Sequence, residues 1–137
     1  MRALALGAAG GRSAGRTVPS ASSAAPLYAI GMPFIAVNEL PVREIFPGLR
    51  ARLIHTDRQT HSWVEVDAGA AFPEHQHPHE QIVSVIEGEL EVVLDGVIHR
   101  LTPGSVLVIP PEVRHSGRGV TACRVLDVFS PARDDYR

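Results

Sequence analysis

Gln81–Pro110 reads QIVSVIEGELEVVLDGVIHRLTPGSVLVIP, and three glycines, Gly88, Gly96 and Gly104, cut it at eight-residue intervals into the apolar runs QIVSVI, ELEVVL, VIHRL and SVLVIP. Runs this short, punctuated by EG, DG and PG pairs, predict strands joined by tight turns, and Asp95-Gly96 between two of them is a strong two-residue hairpin signal. Leu90, Val92 and Leu94 share one face of a strand while Glu89 and Glu91 share the other, so one side is buried and one is wet. No long window repeats at the helical period. Regular turns of this kind predict an all-β sandwich or barrel. The β signal starts near residue 62; earlier, in NELPVREIF, Pro41 and Pro47 leave room for a helical turn at most.

The chain has 137 residues, 45% of them hydrophobic, with a formal charge of −2, which fits one globular domain over residues 32–137. Residues 1–31 are rich in Ala, Gly and Ser and carry three Arg, with no acid before Glu39. They are expected to be a disordered, dispensable tail; a targeting segment or translated upstream sequence before Met32 are the alternatives. All 13 basic residues are Arg, scattered among 15 acids, so no basic face suggests nucleic acid. No apolar run approaches the roughly 20 residues of a membrane helix, and a soluble, cytoplasmic protein is expected. The lone Cys123 has no internal disulfide partner and reads as a small buried hydrophobe.

The stretch HQHPHEQ, His75–Gln81, puts three of the chain's seven histidines at alternate positions. On a strand His75 and His77 point the same way, about 7 Å apart. Pro78 cannot donate to a ladder hydrogen bond, so the strand is expected to end there and Gln81 to begin the next. His79 is expected at the exposed tip of the turn, with a substitute ligand's role if the reversal comes later. His115, in IPPEVRHSG, is a further partner. Three imidazoles and an amide oxygen suit a borderline divalent cation, and zinc, nickel, manganese and iron all stay open. The competing reading is a set of ordinary polar residues at a barrel mouth. His55, His61 and His99 lack any partner pattern and read as structural.

The runs GAAFPEHQHPHEQIVSVIEG, Gly69–Gly88, and GSVLVIPPEVRH, Gly104–His115, resemble the two metal motifs of the cupin superfamily in its small single-domain form. That resemblance implies a double-stranded β-helix, or jelly-roll barrel, with metal at His75, His77, Gln81 and His115. Gln81 stands where an acid is usual, while Glu80 is one place off and faces away on a regular strand. Glu112 stands where Gly is common, at a turn. At the C-terminus LDVFSPARDDY, combined with HPHEQ, is similar to the pectin degradation protein KdgF group, which acts on 4,5-unsaturated monouronates from pectin or alginate. The likeness covers roughly residues 32–137 and implies that Asp127, Phe129 and Arg133 serve the substrate.

Strand alternation adds a physical reason for the same positions. Cys123, Val125, Asp127 and Phe129 share a face, and a carboxylate among apolar neighbours needs a partner or a job. Near a cation and Arg133, Asp127 is expected to stay ionised and act as general base. Arg133 either clamps a substrate carboxylate with its bidentate fork or sits in a solvated charge cluster with its neighbours in ARDDYR. The expected function is metal-dependent opening of an unsaturated sugar acid to its linear 4-deoxy-5-keto form. Dioxygenase-type chemistry and a non-catalytic small-ligand or metal sensor are the alternatives. A homodimer is expected, with the apolar segment MPFIAV as a possible exchanged edge strand.

Overall fold

The computed structural model describes residues 34–137, so the expected tail, residues 1–31, lies outside the described residues. Ten strands follow one another: β1 Arg43–Phe46, β2 Leu49–His55, β3 Thr60–Val66, β4 Ala71–His75, β5 Glu80–Glu87, β6 Leu90–Leu94, β7 Val97–Leu101, β8 Val106–Ile109, β9 His115–Gly119 and β10 Cys123–Ser130. They pair antiparallel in a six-stranded sheet, β1-β2-β3-β10-β5-β8, and a four-stranded sheet, β4-β9-β6-β7. The expected all-β jelly roll is the observed architecture.

The hairpin at Asp95-Gly96 forms as its sequence requires. Both residues have positive φ, 47° and 78°, the conformation of a type I′ turn, and Leu94 pairs directly with Val97. Leu90 and Val92 are buried on the inner face of β6. Their core partners on the larger sheet include Ala51, Val64, Val83, Val85 and Val125, each branched side chain contributing about 1.5–3 kcal/mol when taken fully out of water.

Two strands precede the region where the β signal was expected to begin. In β2, Leu49 and Ala51 alternate with Arg50 and Arg52, inward and outward, and in β1 the residues lie between Pro41 and Pro47 rather than being interrupted by them. Proline is compatible with such strand ends. Phe34–Ala36 carry no regular structure and Val37–Glu39 form a 3-10 turn. The described part of MPFIAV therefore adds no strand to either sheet.

What positions the site is a change of residue type along three neighbouring strands. Val85, Val125 and Val64 lie at one level, Val83, Asp127 and Ser62 at the next, and Gln81, Phe129 and Thr60 at the last. All point inward, and all are buried except Asp127, which is intermediate. The apolar interior thus gives way to polar groups at the end of the barrel where the histidines enter.

Candidate metal centre

His75 closes β4 and pairs in register with His115, the first residue of β9. β4 ends at His75 rather than at Pro78, and His77 belongs to the connecting loop. The backbone N–H of Glu112, held at φ 63°, donates to the His77 carbonyl at 2.8 Å and pins that loop. This left-handed turn explains why glycine would also suit position 112. The ligand nitrogens of His75, His77 and His115 all lie within 4.8 Å of one another.

Each ring is oriented by a backbone carbonyl two residues away. The Nδ1–H groups of His75, His77 and His115 donate to Pro73, His79 and Val113 at 2.8, 3.0 and 2.9 Å. That arrangement fixes the tautomer and leaves every Nε2 lone pair free for the shared centre. The His115 Nε2 is buried and has no hydrogen-bond partner. Burial, reinforced by Arg133 and His115, holds His77 down at about 4, and burial likewise lowers His115. Both are therefore neutral at pH 7, the form in which imidazole binds metal.

Gln81 meets this centre through its amide oxygen. His77 Nε2 lies 3.1 Å from Gln81 Oε1, yet the His77 proton is already committed to the His79 carbonyl. Two acceptors facing one another need a positive charge between them. Two ligand atoms about 2.1 Å from one ion and at right angles to each other lie about 3 Å apart, so the spacing fits a shared divalent cation. The same Gln81 amide is close enough to Asp127 to pull its carboxyl down against burial. Reversing the amide would set its oxygen against that carboxyl.

Asp127 is half-buried, and its Oδ1 is buried with no hydrogen-bond partner. Burial pushes its carboxyl up to about 7, against the opposing influence of Gln81 and Arg133. Burial thus outweighs its protein neighbours, whereas the expectation of an ionised carboxylate applies to a site that holds a cation, which would pull the carboxyl down again. Ser62, its cross-strand neighbour on β3, has an equally buried hydroxyl without a partner. Phe129 packs edge-on against His77 at 5.6 Å. Phe72, over Gly117 on β9, walls the opposite side, 5.8 Å from His75. Phe72, His75, His115, Asp127 and Phe129 line a mostly apolar cleft that opens to solvent.

Two expectations about exposure change. His79 is half-buried rather than exposed, with its Nδ1 buried and unpartnered and its ring 5.5 Å from His77. Arg133 is not in a solvated charge cluster: it is 6% exposed and lines the cleft. Burial opposes its charge, but the Asp135 hydrogen bond and charge more than compensate and raise it further. Arg133 in return holds Asp135 down at about 2. The sequence reading missed Ser62, Phe72, Asp135 and Tyr136. Alternation in THSWVEV and the Arg-x-Asp spacing of ARDDY were the signals available for Ser62 and Asp135.

Among the described residues, no helix is long and apolar enough to cross a membrane. The family model described as Cupin domain matches residues 62–129. The solved structure of KdgF from Halomonas sp. is 34% identical, superposes with a TM-score of 0.72, and the match covers 76% of this chain and 97% of that one. Two curated Streptomyces proteins match a shorter stretch: protein SchB of Streptomyces halstedii, 46% identical over 54 residues, 39% of each chain, and polyketide synthase CurC of Streptomyces cyaneus, 45% identical over 53 residues, 38% of this chain and 34% of that one. The chain thus spans under two fifths of the length of the curated relatives it matches.

Proposed function

This chain belongs to the cupin family, as a small KdgF-like member, and from that membership we propose that it is a metal-dependent enzyme that opens 4,5-unsaturated monouronates to their linear 4-deoxy-5-keto form. One observation carries the reading: the three-histidine centre, with the Gln81 amide oxygen 3.1 Å from His77, opens on the same cleft as Asp127, whose carboxyl Gln81 and Arg133 pull down against burial. A cation held by His75, His77, His115 and Gln81 would supply Lewis-acid polarisation of a substrate oxygen.

The remaining work falls to the chain's own groups. Ring opening moves the proton of the anomeric hydroxyl to C4 as the C1–O5 bond breaks and the resulting enol becomes a ketone, with no atom gained or lost. Asp127 is the group that takes that proton and returns it, a role typically contributing 10²–10⁴-fold. Phe129 and Phe72 bound the space and keep water from the buried acid. Arg133 meets the sugar carboxylate. In this proposal residues 32–137 form the working domain, in a cytoplasmic homodimer.

The test is an NMR time course on freshly lyase-generated unsaturated monouronate, with wild type, Asp127→Asn, His75→Ala and buffer alone. Faster loss of the vinyl proton signal in wild type only supports the proposal. Full activity in Asp127→Asn would remove the acid–base role, and four identical courses would remove the uronate reading.

The match to polyketide synthase CurC, together with the mostly apolar lining of the cleft, favours a second reading in which the ligand is a polyketide-like cyclic diketone or phenol. Turnover of such compounds, with none of the uronate, decides for it.

A further inference from the structure

Arg133 is held by three sets of contacts that leave one end of its guanidinium over. Its Nε and Nη2 donate to the two Asp135 oxygens, at 2.9 and 2.6 Å, so the side edge of the fork is filled from within the chain. The guanidinium carbon lies over the rings of Tyr136 and Phe129, 4.0 and 4.8 Å from their centroids. Its backbone N–H donates to Thr60 Oγ1 at 2.8 Å, and the Thr60 hydroxyl in turn lies 2.8 Å from His55 Nδ1. What remains is Nη1, buried and without a hydrogen-bond partner, on a side chain that is 6% exposed and lines the cleft. A buried donor on a permanently charged group is costly to leave unmet, and its neighbours in the cleft are the histidines and Asp127.

We propose that Asp135 is a positioning residue: by occupying the Nε–Nη2 edge of Arg133 it turns the Nη1 end into the cleft as the seat for a ligand carboxylate. This rests on the sugar-acid reading above for the class of ligand, though not on any turnover. It also revises the geometry expected of Arg133. A ligand carboxylate cannot take the side-on fork, because Asp135 already has it; it is met end-on at Nη1. Asp135 itself is half-exposed, with a side-chain exposure of 56%. An ordinary surface ion pair at such a position contributes little, whereas here one partner is buried against two aromatic rings, so the pair fixes an orientation. Tyr136 completes the device as the nearer of the two rings against the guanidinium, and it meets Phe129 edge-on at 6.0 Å. The Arg-x-Asp-Tyr spacing in the last five residues thus places clamp, clasp and backing ring in one turn.

The experiment reads binding and a spectroscopic signature rather than activity. Metal-loaded wild type, Asp135→Asn, Asp135→Glu and Arg133→Lys are titrated calorimetrically with D-galacturonate and with galactose as its neutral counterpart. The Arg133 Nε–H resonance is followed by nitrogen-15 NMR. Wild type is expected to prefer galacturonate. Asp135→Asn should lose about tenfold of that preference, the scale of one charge-assisted hydrogen bond, and its Nε–H signal should broaden through solvent exchange. Asp135→Glu, which keeps the charge, should recover part of both and stands in if the Asn variant fails to fold. Full preference in Asp135→Asn, or an unchanged Nε–H signal in it, overturns the positioning role. A wild type that binds both sugars equally overturns the carboxylate seat. Neither outcome depends on whether unsaturated uronate is converted, so failure of that reaction is seen separately.

Discussion

The two sides of the cleft are built differently. On the histidine side each ring is fixed by a carbonyl two residues away in its own segment: Pro73 for His75, His79 for His77, Val113 for His115. On the acid side the decisive partners are remote in sequence. Asp127 answers to Gln81 and lies beside Ser62, while Arg133 depends on Thr60 for its backbone and on side chains, those of Asp135, Tyr136 and Phe129, for its guanidinium. Backbone carbonyls cannot be mutated away, so the metal side is orientationally robust. The acid side depends on side chains, and single substitutions reach it.

The largest test of this contrast removes a ligand outright. His115→Ala should lower metal affinity by more than about 100-fold, beyond the 10–100-fold that a supporting partner is worth, as read by metal content after dialysis. A smaller loss would mean that His79 substitutes and that the centre is less fixed than its hydrogen bonds indicate. Next comes the wall. A Cβ at Gly117 would lie 2.6 Å from Phe72 Cε1 and 2.8 Å from the Glu91 carbonyl oxygen. Gly117→Ala should therefore push the Phe72 ring aside and cost about 1–3 kcal/mol, measured by chemical denaturation, with weaker metal retention as a secondary effect.

On the other side, Thr60→Val leaves the Arg133 backbone N–H buried without an acceptor. A loss of about 1–3 kcal/mol is expected, with the metal content unchanged. If metal content fell as well, the two sides would be coupled more tightly than their separate supports suggest. The smallest effect is the pH dependence of the clasp. The Asp135 carboxyl is depressed to about 2 by Arg133, so its contribution is present above the unfolded value near 4 and is lost as pH falls toward 2. The stability difference between wild type and Asp135→Asn should accordingly be full at pH 5 and shrink below pH 4 in parallel thermal melts.

Legibility in the sequence followed the same division. The hairpin at Asp95-Gly96 and the alternation of Leu90, Val92 and Leu94 are local, and they formed as read. The histidines at 75, 77 and 115 could be picked out because ligand spacing is a short-range pattern. β2 carried the same alternation in LRARLIH, but the prolines around β1 drew attention to breakage rather than to the strand between them. His79 was misplaced because exposure at a turn tip depends on what packs over it, and the ring lies 5.5 Å from His77 with its Nδ1 buried. Arg133 was read as equally compatible with solvent because its sequence neighbours are charged, whereas its spatial neighbours are Phe129 and Tyr136.

By itself the sequence determined the class of fold, the turn positions, the family and the ligand atoms on offer, since each of these is set by residue type and short-range spacing. Only the tertiary structure decided that Val83, Asp127 and Ser62 stand at one level, that the Gln81 amide oxygen meets His77, and that Arg133 lines the cleft with one edge already held. The physical reason is that register and burial arise from strands that meet across the sheet. A carboxyl's protonation and a guanidinium's free edge are properties of those meetings and not of any one segment.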